Sequence, residues 1–455
     1  MDDIYKALCS IIGEEHCSAM PEELFIYSFD LGTTEPKAPD YVVAPDSVEE
    51  IQAIVKLANE KEIPVVPLGG GLSLAGLAVP LKGGILIDLK RMDRIIEVNE
   101  RARYAVIECG VSQGQLTSYL ERHHPNLTHT EPGAPPAATI AGNAMIHGQG
   151  DLAHPYGFTS DMACGLEIVL PEGEILKLGS CSIGSGWFTL HPLPDLNIFL
   201  GWCGTTGIIT KLSIKLFPAK KIRGMGTFVV EDPDLVPEII YKITHTQLCE
   251  DIIAFSRAIP PFASGLHHIT VNIGADSEKE LEFKEEIIWD DTLSEYIKGD
   301  VGGYLGFIRG LERPQISKAS DYKKGGGFEY VGGIMPIDTY PQCYRKGREI
   351  SERHHIPYTV TARVIGSGNS MMFAWTYAFN RADPESINEA RDALHETDEL
   401  VLELGGVIWK PGVYGQKLII ERLNPVTKGL MKKIKQVLDP KGIMNPDNWE
   451  FSHGF

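Results

Sequence analysis

Apolar residues at helical spacing mark the first structural unit of the chain. Ile51, Ile54, Val55 and Ala58 recur at intervals of three and four, which places them on one helix face. Ser47 stands before this run as a candidate N-cap, with two acidic residues in the first turn. Short β-branched runs lie on either side, at 41–44 and at 65–66. The pattern therefore predicts a strand–helix–strand unit.

Short apolar runs predict further strands in the first half of the chain. They lie at 84–89, 91–98, 104–111, 165–170, 174–178 and 211–217, with a helix predicted at 113–121. In the second half of the chain, segments with the spacing of strands alternate with segments with the spacing of helices. Strands are predicted at 228–230, 266–273, 330–335, 359–364 and 371–377, and helices at 278–289, 291–297 and 384–404. A basic helix predicted at 428–437 is interpreted as a solvated face. This alternation predicts an α+β unit built over one antiparallel sheet.

The length and net charge of the chain limit the number of domains and the kinds of partner to be expected. A chain of 455 residues exceeds one ordinary core, so two or more domains are expected. The formal net charge of -19 argues against a nucleic-acid partner. The first residues lack a basic segment followed by an apolar run, and no apolar run reaches about 18 residues. We therefore expect a cytoplasmic protein without a transmembrane segment.

The eight cysteines are scattered and form no C-x-x-C pair. This usage is typical of reduced, buried thiols rather than of disulfides. It also lacks the ligand spacing of an iron–sulfur cluster.

Three segments rich in glycine and small residues are candidates for ligand binding. The first follows the run at 65–66 and contains Gly69, Gly70, Gly71 and Ser73. Such a loop exposes backbone N–H groups that can bind a phosphate. It is neither a Walker loop nor a standard dinucleotide fingerprint. The second segment spans 132–150 and the third spans 201–210.

These segments, with one near the C-terminus, resemble a known family. The quoted stretches are PLGGG at 67–71, TIAGN at 139–143, GTTGIIT at 204–210 and LDPKGIMNP at 438–446. In this order they resemble the vanillyl-alcohol oxidase/p-cresol methylhydroxylase (PCMH) superfamily of flavoproteins, over nearly the whole chain. The resemblance implies an α+β fold: a two-subdomain, PCMH-type FAD-binding domain plus a cap domain with an antiparallel sheet flanked by helices. The implied boundaries are 1–219 for the FAD-binding domain, 220–423 for the substrate or cap domain, and 424–455 for a segment returning to the FAD domain.

The resemblance also implies FAD contacts in each segment. Residues 69–71 and Ser73 are expected at the pyrophosphate, Gly142, Asn143 and Gly150 at the flavin and ribityl chain, and 204–209 at the adenine side or isoalloxazine edge. Some members link FAD covalently through a histidine of the first loop; 64–80 contains none, so non-covalent FAD is expected. The implied cofactor-binding residues are Pro67, Leu68, Gly69, Gly70, Gly71, Leu72, Ser73, Pro132, Gly133, Thr139, Gly142, Asn143, Gly148, Gly150, Tyr156, Gly204, Gly207, Ile208, Ile209 and Asn445.

Two subgroups of this superfamily are compared at the cap. The 2-hydroxy-acid dehydrogenases usually carry a metal site with a pattern resembling His-x-Gly-Asp-Gly-Asn-x-His and a later Glu-His. The corresponding positions here include Val364, Ser367, Met371, Pro411 and Gly412, so no metal site is expected.

The aryl-alcohol and alkylphenol subgroup has no such metal and holds a phenolate with a Tyr-Arg pair. Tyr414 matches the tyrosine, but Gly415 stands at the arginine position. Phe158 stands where this subgroup has an acid. Neither subgroup's catalytic set is therefore complete.

The candidate catalytic residues are Arg363, Lys410, Tyr414 and His268. Either cation can pair with a substrate carboxylate, and Tyr414 can hydrogen-bond a substrate oxygen. His267 and His268 lie on opposite sheet faces, so at most one of them is expected to act as base.

The predicted function is hydride transfer to flavin N5 from a CH–OH or activated CH carbon of a small anionic substrate, most simply a 2-hydroxy acid such as lactate or glycolate. The alternatives are an aryl-alcohol or alkylphenol oxidase or dehydrogenase, an FAD-dependent alkyl transferase, and a non-catalytic FAD-holding subunit. An electron-transfer protein, and assembly as a homo-oligomer or in a larger complex, are the candidate partnerships.

Overall fold

The structure is a computed structural model that describes residues 3–190, 195–257, 265–298, 302–309, 325–357 and 359–451. Its helices are α1 Asp3–Ile12, α2 Pro21–Ile26, α3 Val48–Lys61, α4 Gln113–His123, α5 Ile140–Met145, α6 Ala153–Tyr156, α7 Val236–Thr246, α8 Glu278–Glu286, α9 Ser294–Lys298, α10 Tyr340–Arg353, α11 Pro384–Glu403, α12 Val413–Arg422 and α13 Pro425–Leu438. Its strands are β1 Cys17–Ser18, β2 Tyr41–Val43, β3 Val65–Leu68, β4 Ile85–Asp88, β5 Ile95–Asn99, β6 Tyr104–Glu108, β7 Leu127–Thr128, β8 Ala163–Val169, β9 Ile175–Gly179, β10 Ile208–Lys215, β11 Phe217–Pro218, β12 Ile222–Val230, β13 Asp251–Arg257, β14 His267–Ala275, β15 Gly302–Arg309, β16 Gly326–Met335, β17 Thr359–Ile365, β18 Ser370–Asn380 and β19 Val407–Trp409.

The first sheet has the order β1-β2-β4-β3, and β2 and β3 both run parallel to β4. Ser47 caps α3 as predicted, because its side chain accepts a hydrogen bond from the N–H of Glu50. Parallel neighbours are usually joined by a crossover helix. Here a loop joins β3 to β4 instead, so its backbone donors are not used up in a helix.

A second, antiparallel sheet completes the first half of the chain, in the order β5-β6-β10-β8-β9. One hydrophobic core joins it to the first sheet, with Ile54, Ile87, Leu166 and Leu212 among its fully buried members. The chain returns to this half near its end: the N–H of Val65 donates to Ile443 O at 2.8 Å, and the N–H of Asn445 donates to Val65 O at 2.8 Å. Residues 443–445 therefore cover the open edge of β3.

The cap half contains an eight-stranded antiparallel sheet, in the order β15-β12-β14-β13-β17-β18-β16-β19. Helices α7, α8, α10 and α11 pack against it around a core that includes Trp375, Phe373 and Tyr340. This is the predicted α+β architecture with one antiparallel sheet. Across the described residues, no helix is both long enough and apolar enough to cross a membrane.

Candidate active site

A cavity of about 930 Å³ lies between the glycine-rich loops of the first half and the cap. Predicted cofactor residues from all three loops line it: Pro67, Leu68, Gly69, Gly70, Gly71, Leu72, Ser73, Pro132, Gly133, Thr139, Gly142, Asn143, Gly204, Gly207, Ile208 and Ile209. The cap contributes Arg363, Lys410 and Tyr414. The fold thus brings these segments, which are far apart in sequence, to one space.

The first loop leaves a row of backbone donors facing no protein acceptor. Within the described residues, this holds for the N–H groups of Gly70, Gly71, Leu72 and Ser73. Among residues 69–71, only Gly71 has a positive φ, of 68°, which glycine adopts without strain. Gly70 is needed for another reason: a Cβ there would lie 2.5 Å from Ala137 O. Its small size lets the first loop pack on the second.

The second loop begins a short helix and also contains residues that support it from behind. Thr139 caps α5 by accepting from the N–H of Gly142 at 3.3 Å. Gly148 and Gly150 do not line the cavity, contrary to expectation. A Cβ on Gly150 would lie 2.6 Å from Glu131 O, so these glycines allow close packing that holds Gln149 in the wall.

Two further predicted cofactor residues lie outside the lining. Tyr156 is 45% exposed and stacks on Phe217 with 4.0 Å between ring centroids. Asn445 is buried and donates to Leu77 O at 3.0 Å and to Cys203 O at 2.7 Å. Asn445 therefore holds two cavity loops in place rather than facing the cavity.

The residues present fit FAD. A row of unused N–H groups beside a glycine of positive φ is an anion-binding concavity suited to a pyrophosphate. Gly133 also lines the cavity, and a Cβ on it would meet no atom within 4 Å, so the wall is open there. The volume lies at the upper end of the usual range for ligand pockets, about 300–1,000 Å³.

Arg363 of β17 connects the cap to the second loop. Its Nη1 donates to Gln149 Oε1 at 3.0 Å, and its Nη2 lies 3.0 Å from Asp251 Oδ2. Burial raises the pKa of Asp251 to about 7, against the opposing effect of the Arg363 charge. The guanidinium is therefore fixed in the cavity wall.

Lys410 and Tyr414 lie in the segment that follows β19. Lys410 Nζ sits 4.0 Å from the ring centroid of Trp409. The Tyr414 hydroxyl donates to Glu399 Oε1, which, with burial, raises the pKa of Tyr414 to about 12. That hydroxyl is thus already committed to a protein acceptor, and the ring of Tyr414 stacks on His395 at 3.8 Å.

The structure does not bring His268 to the cavity. The ring of His268 stacks on Phe255 at 4.9 Å, and the residue is absent from the lining. His267 lies on the other face, with Nδ1 2.9 Å from the Tyr340 hydroxyl, and burial lowers its pKa to about 4. The placement of His268 in the site is corrected accordingly: its side chain is used in packing along the sheet.

Several charged residues of the cavity lining were not predicted from the sequence. Burial is the largest cause that raises the pKa of Glu329 to about 8 and of Asp398 to about 7, and it lowers the pKa of His395. Arg391, Leu394, His395 and Asp398 follow one another at helical spacing along α11. A polar face on the predicted 384–404 helix was therefore the signal that could have identified them.

The positions compared with a metal motif hold no ligands facing the cavity. Val364 and Met371 are buried in the cap core with the helices. Among the described residues, no group of three or more His, Cys, Asp or Glu side chains could hold a metal ion. The absence of a metal site stays a prediction, tested below.

Comparison with known proteins gives a consistent result. A family model described as FAD binding domain matches residues 39–179, and one described as FAD linked oxidases, C-terminal domain, matches residues 333–449. The D-lactate dehydrogenase of Archaeoglobus fulgidus is 30% identical over 425 residues, covering 89% of this chain and 90% of that protein. The mitochondrial D-lactate dehydrogenase (cytochrome) of Arabidopsis thaliana is 34% identical over 431 residues, covering 90% and 73%.

A solved structure shares the fold. Crystalline p-cresol methylhydroxylase with substrate bound matches with a TM-score of 0.86 at 18% identity, covering 99% of this chain and 97% of that one. The chain belongs to the FAD-linked oxidases of the vanillyl-alcohol oxidase/p-cresol methylhydroxylase family, and it is an FAD-linked oxidoreductase.

Proposed function

We propose that this oxidoreductase oxidises the CH–OH group of a small carboxylate, a 2-hydroxy acid of the lactate or glycolate class. The observation that supports the proposal is that two cations from separate cap segments, Arg363 and Lys410, both line the cavity that the glycine-rich loops also line. A lysine or arginine side chain can pair with a carboxylate, and a guanidinium can bind it through two parallel hydrogen bonds. The names of the two D-lactate dehydrogenase relatives agree with this substrate class.

Each component of the reaction has a candidate residue. Bound FAD would supply the acceptor for the hydride of the alcohol carbon. Arg363 and Lys410 bind the carboxylate and so orient that carbon. The hydroxyl proton leaves to an unprotonated ring nitrogen of His395, since burial lowers the pKa of this imidazole and keeps it neutral near pH 7. The product is the corresponding 2-oxo acid.

The aryl-alcohol alternative has less support from the same cavity. It needs a phenolate anchor at Tyr414 and the following position. The Tyr414 hydroxyl is bound to Glu399, and a Cβ on Gly415 would point at Asp398 Oδ2, 2.8 Å away. These acidic surroundings disfavour a phenolate there.

Anaerobic mixing tests the proposal. Purified holoprotein is mixed with D-lactate, L-lactate, glycolate, vanillyl alcohol and 4-cresol while flavin absorbance is followed. We expect bleaching by a hydroxy acid. Bleaching by the aromatic substrates alone would select the aryl-alcohol reaction. No bleaching by any compound would favour the alkyl-transferase or non-catalytic alternatives.

Variants then assign the roles. His395→Gln should slow flavin reduction by about 10²–10⁴-fold, the usual contribution of a general base, and remove one ionisation from the pH profile of the reduction rate. An unchanged profile would exclude His395 as the base. Lys432→Met, on the exposed surface of α13, is the control and should behave as wild type.

A further inference from the structure

Asp251 lies directly behind the arginine that faces the cavity. Its Oδ2 is 3.0 Å from Arg363 Nη2, while Arg363 Nη1 donates to Gln149 Oε1 at 3.0 Å. Asp251 is 1% exposed and is not part of the cavity lining, whereas Arg363 and Gln149 are. The guanidinium is thus held by the cap on one side and by the second loop on the other.

We propose that Asp251 is the positioning residue for Arg363: its bond to Nη2 fixes the guanidinium plane in the orientation that receives the anionic group of the substrate. The inference rests on the proposed function, which assigns the substrate carboxylate to Arg363. It adds a residue that never touches the substrate yet determines how tightly the substrate binds.

Orientation, and not charge, is the contribution expected of Asp251. A carboxylate behind an arginine partly cancels the positive charge, so on charge alone Asp251 would weaken anion binding. Arg363 is a long, flexible side chain, and its planar fork binds a carboxylate well only in the right plane. Since burial raises the pKa of Asp251 to about 7, the negative charge is only partly present near neutrality. The oxygen that bonds Nη2 is present throughout.

A role in orientation and a role in charge predict opposite results for a pair of Asp251 variants. Asp251→Asn keeps an acceptor oxygen and removes the charge, whereas Asp251→Ala removes both. The probe is oxalate, a dianion without a transferable hydride, titrated into the oxidised holoprotein while the flavin spectrum is followed. If Asp251 acts by orientation, Asp251→Asn should bind oxalate within about threefold of wild type, and Asp251→Ala about tenfold or more weaker. If it acts only by charge, both variants should bind oxalate more tightly, which overturns the proposal.

Controls keep the test decisive. Glu250→Gln removes the neighbouring carboxylate, which pairs with Arg223 at 2.8 Å outside the cavity lining, and should leave oxalate binding unchanged. If Asp251→Ala fails to yield flavin-loaded protein, Asp251→Ser replaces it, because the serine hydroxyl is too short to reach Nη2. Equal oxalate affinity of Asp251→Ser and wild type overturns the proposal, as does a wild-type flavin spectrum that no oxalate concentration perturbs.

The oxalate titration tests the positioning role of Asp251, and the bleaching experiment tests the proposed reaction, so either proposal can be rejected without the other. If no hydroxy acid bleaches the flavin but oxalate affinity still falls in Asp251→Ala, the positioning role stands and the reaction proposal falls. If a hydroxy acid bleaches the flavin and Asp251→Ala binds oxalate like wild type, the reaction stands and the positioning role is discarded.

Discussion

Glu329 of cap strand β16 accepts a hydrogen bond at 3.0 Å from the backbone N–H of Ala75, just past the glycine row of the first loop. Its second oxygen accepts from the N–H of Thr33 at 3.2 Å, and Asp30 accepts from the N–H of Gly76 at 2.8 Å. Two acidic side chains thus hold the part of the chain that follows the glycine row.

This arrangement predicts stability that depends on pH. Burial first, and then the charge of Asp30, raise the pKa of Glu329 to about 8, well above the usual value of about 4.3. The stabilisation is complete below the unfolded pKa and is lost as pH rises through about 8. We expect the free energy of unfolding to fall between about pH 4.5 and pH 8 and to depend less on pH in Glu329→Gln. Chemical denaturation at several pH values measures this, and the same slope in the variant would contradict it. Glu349→Gln, exposed on α10, is the control and should keep the wild-type slope.

Substitution of Gly133 tests whether the loops hold flavin. Gly70→Val would be an ambiguous test, because a Cβ at Gly70 lies 2.5 Å from Ala137 O and a loss of flavin would also follow from misfolding of the loops. Gly133 lines the cavity, and a Cβ added there meets no protein atom within 4 Å, so a valine should take space from a bound ligand. Gly133→Val should purify with reduced flavin content and an unchanged far-ultraviolet circular dichroism spectrum. Full occupancy would place the flavin elsewhere, and Gly184→Val, at another open position outside the lining, serves as control.

The flavin should be released by acid. Among the described lining residues, the side chains able to form a covalent flavin bond are Cys109, Cys203, His395 and Tyr414. Burial raises the pKa of both thiols to about 12, which leaves them un-ionised and poorly nucleophilic. Residues 64–80, where some members of the family carry the linking histidine, contain no histidine, so acid precipitation should leave the flavin in the supernatant. Yellow colour that stays with the denatured pellet would show a covalent bond.

Sequence predicted the parts of this site that depend on local pattern. Residue spacing and turn-forming residues within a single segment predict the N-cap at Ser47, the glycine segments and the order of strands. The pairing of the C-terminal segment with Val65 and the role of Asn445 depend on contacts between distant residues. Likewise, His268 was a reasonable base by residue type alone. Its exclusion needs the sheet register, which pairs it with Phe255.

Activity should survive a chelator. Val364 and Met371 lie in the cap core, and Ser367, Pro411 and Gly412 provide no imidazole or carboxylate. Dialysis against EDTA should leave flavin reduction by substrate unchanged, and elemental analysis should find less than one equivalent of zinc or manganese. Stoichiometric metal whose removal abolishes reduction would show ligands that this structure does not bring together.

Lys410 provides the sharpest test of the substrate anchor. Truncating a charge-assisted hydrogen bond costs about 1.5–3 kcal/mol, or about ten- to a hundredfold in affinity. Lys410→Met removes the ammonium while keeping an unbranched stem beside Trp409, and both residues bear equal strain at the φ of 55° found there. We expect the apparent Michaelis constant for a carboxylate substrate to rise by that factor, with flavin content unchanged. If Lys410 only covers Trp409, the variant should match wild type in flavin bleaching at every substrate concentration. The anchor would then be Arg363 alone.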